Sequence, residues 1–135
     1  MKNIFIISSI ALFLVSLTQK CYITDFANDK GMSSLLALLT GWLGVIMCHG
    51  PAISWLANPF LIISWVLFLT NSKYALLVSL VTLCLMVSFL FLKKILVNEA
   101  GHYGTIIRYE SGYWLWLASA VVMLTGTIYT KYCDA

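Results

Sequence analysis

Apolar residues occupy this chain in long blocks, and the breaks between blocks fall where the charges are. Four stretches, residues 3–19, 31–70, 74–92 and 111–130, carry no Lys, Arg, Asp or Glu. A bilayer core about 30 Å thick needs roughly 20 apolar residues of helix to cross it. Residues 74–92 and 112–129 meet that requirement directly. The stretch 31–70 is too long for one crossing, because a helix of that size would run about 60 Å. His49-Gly50-Pro51 is its natural reversal point, dividing it into spans at 33–48 and 52–70.

Lys2 followed by residues 4–15 imitates the charge and core of a signal peptide. However, Leu17-Thr18-Gln19-Lys20 lacks the small residues a peptidase needs, and Lys20 argues against Cys21 as a lipoprotein cysteine. Residues 3–18 are therefore expected to be an uncleaved, slightly short span, with Lys2 and Lys20 snorkelling. The pattern predicts one all-α domain over residues 1–135, a polytopic transmembrane bundle of five spans. It has four if the first segment is cleaved or if 31–70 crosses once. Asn58-Pro59 interrupts the third span. It is read as a proline kink with the Asn58 amide bonding freed backbone; the alternative makes Asn58 the N-cap and Pro59 the first helical residue.

Composition agrees with this picture. The 135 residues are 61% hydrophobic and 10% charged, with mean hydropathy +0.95. Average globular usage is about 25% charged. That difference excludes a soluble enzyme, a nucleic-acid binder and a secreted disulfide scaffold. Five spans put the two chain ends on opposite faces. Lys2, Lys93, Lys94 and Arg108 then balance Lys20, Lys30, Lys73 and Lys131. The Lys93-Lys94 pair and the basic N-terminal tail favour a cytoplasmic N-terminus and a periplasmic C-terminus.

Helices in lipid associate through small and polar residues rather than through burial from water. Ser33, Ala37, Gly41, Gly44 and Cys48 form such a stripe on the second span. Ala75, Ser79 and Thr82 repeat it on the fourth, and Ser119 and Gly126 on the last. Packing within the chain is the expected use of all three. Tyr113, Trp114, Trp116, Tyr129 and Tyr132 are expected as interfacial anchors, and Trp65 as a filler of the bundle.

Candidate chemistry is sparse. No two of the four cysteines make a Cys-x-x-Cys pair. Cys84 is mid-span and reads as a small apolar filler. Cys21 and Cys133 would share a side of a five-span bundle, which predicts a disulfide if that side is periplasmic. Glu99 and His102 have an i, i+3 spacing used by carboxylate-bridged metal sites, but only Glu110 and the distant His49 could complete one. Gly101-His102-Tyr103-Gly104 lacks the Lys-Ser/Thr of a phosphate loop. No catalytic, cofactor-binding or metal-binding residue is predicted. Nor does any span hold an ionisable residue, which argues against ion-coupled transport. The 93–111 segment mixes Lys93, Lys94 and Arg108 with isoleucines and leucines, as expected of a loop meeting anionic lipid or a partner.

The combination Gly41-Trp42-Leu43-Gly44, Trp55-Leu56-Ala57-Asn58-Pro59 and Gly112-Tyr113-Trp114-Leu115-Trp116-Leu117-Ala118-Ser119 resembles an uncharacterised family of small bacterial multi-pass inner-membrane proteins. The resemblance runs from about Cys21 to the last span. It implies a bacterial inner membrane and no particular activity. The expected function is a non-enzymatic, immunity-type binding protein that recognises a membrane protein or membrane-active toxin. The alternatives are a homo-oligomeric channel and an accessory subunit of a larger membrane complex.

Overall fold

The computed structural model describes residues 1–26, 28–47, 50–97 and 100–133. In chain order the elements are α1 (Lys2–Leu17), β1 (Lys20–Thr24), β2 (Met32–Ser33), α2 (Ser34–Ile46) and a 3-10 helix (Gly50–Leu56). They continue with α3 (Ala57–Leu69), α4 (Ala75–Ser88), β3 (Lys94–Leu96), β4 (Tyr103–Tyr109) and α5 (Ser111–Tyr132).

Buried positions in α1 are Ile6, Ser9, Phe13 and Ser16, three and four apart and so on one helix face. α3 repeats the spacing with Leu61, Ser64 and Phe68. α4 does so with Ala75, Ser79, Thr82 and Met86, and α5 with Ser119, Met123 and Gly126. These four stripes meet in an up-down-up-down bundle. Gly126 lets α5 approach α1 closely, since a Cβ there would come within 2.7 Å of the Phe5 Cβ.

Hydroxyls on the inward faces bond across the bundle. Ser9 Oγ donates to the Ser119 carbonyl at 2.8 Å and accepts from Trp65 Nε1 at 2.9 Å. Ser79 Oγ donates its one proton to the Ala75 carbonyl, so in the 2.7 Å Ser64–Ser79 contact Ser64 is the donor. The outward faces are apolar: Ile4, Ile7, Leu14, Ile62, Ile63, Val66, Leu77, Leu80 and Val121 are exposed. Ala52–Leu69, which joins the 3-10 helix to α3, and Ser111–Tyr132 are long and apolar enough to cross a membrane by length and composition.

The polar connections do not stay loops. They pair into a four-stranded antiparallel sheet in the order β2-β1-β4-β3, which caps the bundle where α1 and α4 end and α5 begins. Tyr22 and Thr24 of β1 and Gly104 and Ile106 of β4 alternate inward. Tyr22, Ile106, Phe89 and Tyr113 form the second core of the molecule. The 25–31 connection is held by Asp29, whose carboxylate accepts from the Thr24 N–H and the Gly31 N–H, each at 2.8 Å, and from the Thr24 hydroxyl. Those bonds, led by the Thr24 hydroxyl, hold the Asp29 carboxyl below the usual carboxylate range. Gly31 sits at φ +91°, where a side chain would be strained.

Three expectations are corrected. The molecule is not an all-α five-span bundle, because β1–β4 form a sheet and only two helical segments among the described residues are long and apolar enough to cross a membrane. The expected second span is not a core helix either. α2 buries none of its residues and lies at the periphery against the 3-10 helix. With four bundle helices instead of five, the start of α1 and the end of α5 share one end of the molecule. There Lys2 Nζ bonds the Leu69 carbonyl at 3.2 Å, and the Phe5 and Tyr129 rings lie 5.7 Å apart. The predicted Cys21–Cys133 disulfide fails for the same reason. Cys21 pairs with the start of α5 through its carbonyl and the Glu110 N–H. Cys133 follows the end of that helix, about 33 Å away at 1.5 Å per residue over 22 residues, and both cysteines are free.

Candidate ligand-binding cavity

α2 and the 3-10 helix form a hairpin whose two arms touch through small residues. Gly41 lies against the Trp55 ring so closely that no Cβ would fit, and a Cβ on Gly44 would meet the Ala52 Cβ at 2.7 Å. Trp55 Nε1 donates to the Leu38 carbonyl at 2.9 Å and ties the arms together. The predicted small-residue stripe thus packs within the chain at Gly41 and Gly44, and Ala37 lines the space behind it. Ser33 lies in β2 opposite Lys20. Cys48 and His49 lie outside the described residues.

Asn58 and Pro59 stand just inside α3, where the 3-10 helix changes to α geometry. Proline at 59 removes the N–H that would bond the Trp55 carbonyl. Asn58 Nδ2 takes that carbonyl at 3.0 Å, while its Oδ1 accepts from Trp116 Nε1 at 2.9 Å. One side chain therefore repairs the helix start and fixes the α3–α5 crossing.

Between this hairpin, the end of α1, the sheet and the start of α5 lies a half-open cavity of about 520 Å³. Phe13, Leu17, Tyr22, Leu38, Trp55 and Phe89 give it a mostly apolar wall, with Tyr113 and Trp116 behind. Its polar neighbours have partners inside the protein. Ser16 Oγ donates to the Phe13 carbonyl at 2.6 Å. Tyr113 Oη donates to the Met86 carbonyl at 2.9 Å. Because Ser88 donates to the Leu85 carbonyl, the 2.9 Å Ser54–Ser88 contact has Ser54 as donor. The Cys21 thiol points to the Met32 carbonyl at 3.3 Å. Burial pushes that thiol up to about 11, with the Ser34 hydroxyl opposing the shift. Yet Ser34 Oγ, itself buried, has no hydrogen bond of proper geometry with any described atom. Burial likewise raises Tyr22 well above an ordinary phenol.

The other predicted residues lie apart from the cavity. Ser119 and Gly126 face α1, and Ser79 and Thr82 are buried in the bundle. Lys93, Lys94 and Arg108 are exposed at the sheet end, where Arg108 pairs with Glu110. Glu99 lies outside the described residues. Among those described, no group of three His, Cys, Asp or Glu side chains is placed to hold a metal. The sequence points to Trp116 and Tyr113 only as interfacial rings and to Trp55 only as part of the Trp55–Pro59 motif, and Tyr22 carries no expectation at all. Their signal was the clustering of aromatics beside the polar connections, where a sheet needs a core. No family model, curated protein or solved structure matches the chain.

Proposed function

We propose that this chain is a small membrane-embedded protein that acts by binding rather than by catalysis. Inverted polarity carries the reading. Ser9, Ser64, Thr82 and Ser119 are fully buried, whereas Ile4, Ile7, Leu14, Ile63, Leu77 and Leu80 are exposed. Soluble monomers rarely expose contiguous apolar patches above a few hundred Å², and lipid is the solvent in which this arrangement is stable. The 3-10 helix continued by α3, over Ala52–Leu69, and α5 are the crossings that length and composition favour. α1 and α4 pack beside them, and their shortness is met by local thinning of the bilayer.

The bacterial inner membrane is the location that the motif resemblance supplies. Five of the eight Lys and Arg residues, Lys20, Lys30, Lys93, Lys94 and Arg108, lie at the sheet end. By the positive-inside rule this favours a cytoplasmic sheet, with the start of α1 and the end of α5 both on the periplasmic side, the reverse of the cytoplasmic N-terminus expected from five spans. The half-open cavity and the charged sheet surface beside it are the parts best suited to recognition. An immunity-type role toward a membrane-active toxin, or a contact with another membrane protein, would use that end. The channel reading finds little support, since Ser79 and Thr82 are buried inside the bundle and the Gly41–Gly44 face is covered by the 3-10 helix.

Alkaline carbonate washing tests the embedding. The protein is expected to stay in the pellet and to leave it only with mild detergent; release by carbonate alone would refute it. For the binding role, cells expressing the protein are expected to survive at least one membrane-active toxin, or to yield a stoichiometric membrane partner after mild-detergent purification. Failure of both would refute that role while leaving the embedding intact.

A further inference from the structure

We infer that the cavity beside α2 holds a single acyl chain of a membrane amphiphile. This rests on the membrane reading and names the ligand class of the same site. Shape is the first argument. Residues at both ends of α2, Ser34 and Met47, line the cavity, so it runs along a helix of 13 residues, about 20 Å at 1.5 Å per residue. An elongated space of this kind suits one extended hydrocarbon chain better than a compact ligand.

Chemistry is the second argument. A void of about 150 Å³ with an apolar wall stays dry, but this space is more than three times larger, and its empty lining would forfeit dispersion contacts along its whole length. Water is a poor occupant of most of the length, because the hydroxyls and amide of Ser16, Ser54, Asn58 and Tyr113 already have protein partners. Only the buried Ser34 Oγ, next to β2 at the sheet end, has no described partner, and a polar head would meet it there. A peptide strand is a poor occupant too, since its backbone groups would find few free partners in this wall.

Access is the third argument. The exposed rim is made by Thr40, Leu43 and Met47 of α2. It continues into the apolar outer face of the same helix at Leu36, Leu39 and Ile46. A chain entering from the lipid would pass over hydrocarbon all the way, leaving its polar head at the sheet end.

The test uses the whole chain purified in mild detergent, with two probes carrying a mid-chain diazirine: hexadecanoic acid and a diacyl phosphatidylglycerol. Native mass spectrometry reads the stoichiometry, and photo-crosslinking with peptide mapping reads the site. One bound probe per protein is expected, crosslinked to cavity-wall residues such as Leu38, Tyr22 and Trp55. Which probe is retained tells whether a free fatty acid or a phospholipid is the source. Filling the space with Ala37→Trp is expected to lower retention on the order of tenfold, while Leu77→Trp on the outer face of α4, away from the cavity, leaves it unchanged. The crosslink map on the unaltered protein stands whether or not Ala37→Trp folds. Crosslinks confined to outer faces, no adduct with either probe, or a lipid-free dimer occupying the cavity would overturn the inference. Carbonate retention is unaffected by any of these results, so a failure here is separable from a failure of the embedding.

Discussion

The helical body and the sheet that caps it solve opposite solvent problems within one short chain. In the body, α1, α3, α4 and α5 turn serines and threonines inward and isoleucines and leucines outward. In the sheet, Tyr22, Ile106 and the neighbouring Phe89 and Tyr113 are inside, while Lys93, Lys94 and Arg108 are outside. The first arrangement is held by close approach and hydrogen bonds, the second by aromatic burial from water. On the membrane reading proposed above, two media along one axis account for both.

The largest effect should come from placing one charge on each outer surface. Ile63→Arg on the outward face of α3 is expected to cost about 2.5–3.5 kcal/mol, the insertion cost of a central arginine, read as lost accumulation in the membrane fraction. Ile107→Arg on the exposed face of β4 should change stability by less than about 0.5 kcal/mol. Equal effects at the two sites would erase the distinction between the surfaces.

Next in size is close approach within the body. Gly126→Leu should destabilise the α1–α5 contact by about 1–3 kcal/mol, because the Phe5 Cβ that it meets lies next to backbone and cannot swing away. Thermal unfolding in mild detergent measures this.

Smaller effects sharpen the contrast in hydrogen bonding. Trp65→Phe removes the donor to Ser9 and should cost about 0.6 kcal/mol, with a ceiling near 1.7. Tyr113→Phe leaves the Met86 carbonyl without its donor at the edge of the aromatic core and should cost about 1 kcal/mol. The smallest effect is the acid response of the sheet. Asp29 has a folded pKa below its unfolded value, so its contribution is present above the unfolded carboxylate pKa and is lost as pH falls through the folded one. Hydrogen exchange should show the 25–31 connection loosening at acid pH with the bundle unchanged, and Asp29→Asn should abolish that response.

Helix positions were legible in the sequence. Apolar runs at 3–18, 52–70, 74–92 and 112–129 match α1, the 3-10 helix with α3, α4 and α5 to within a few residues. The sheet was not. β1 has register shifts near Cys21 and beyond Ile23, β2 has two residues, and the charges of Lys94 and Arg108 mask the alternation of Gly104 and Ile106. α2 was misplaced because hydropathy measures how greasy a helix is and says nothing of what covers it. A peripheral helix against lipid reads the same as a central one. The disulfide expectation failed with the span count, since parity alone put Cys21 and Cys133 on one side. The cavity was invisible because its walls come from α1, α2, α5 and the sheet, and no local spacing records their meeting. Asn58 was the exception: its place beside Pro59 already implied a side chain repairing freed backbone.

The most direct measurement is the sidedness of the two ends of the bundle. Single-cysteine variants of a cysteine-free chain would carry Lys73→Cys or the native Cys133 at one end, and Lys93→Cys or Arg108→Cys at the sheet. They would be treated with a membrane-impermeant maleimide before and after permeabilisation. Lys73→Cys and Cys133 should label from one face of the membrane, and Lys93→Cys and Arg108→Cys from the other. Labelling of Cys133 together with Arg108→Cys from a single face would contradict a helical body that separates the sheet from the start of α1 and the end of α5.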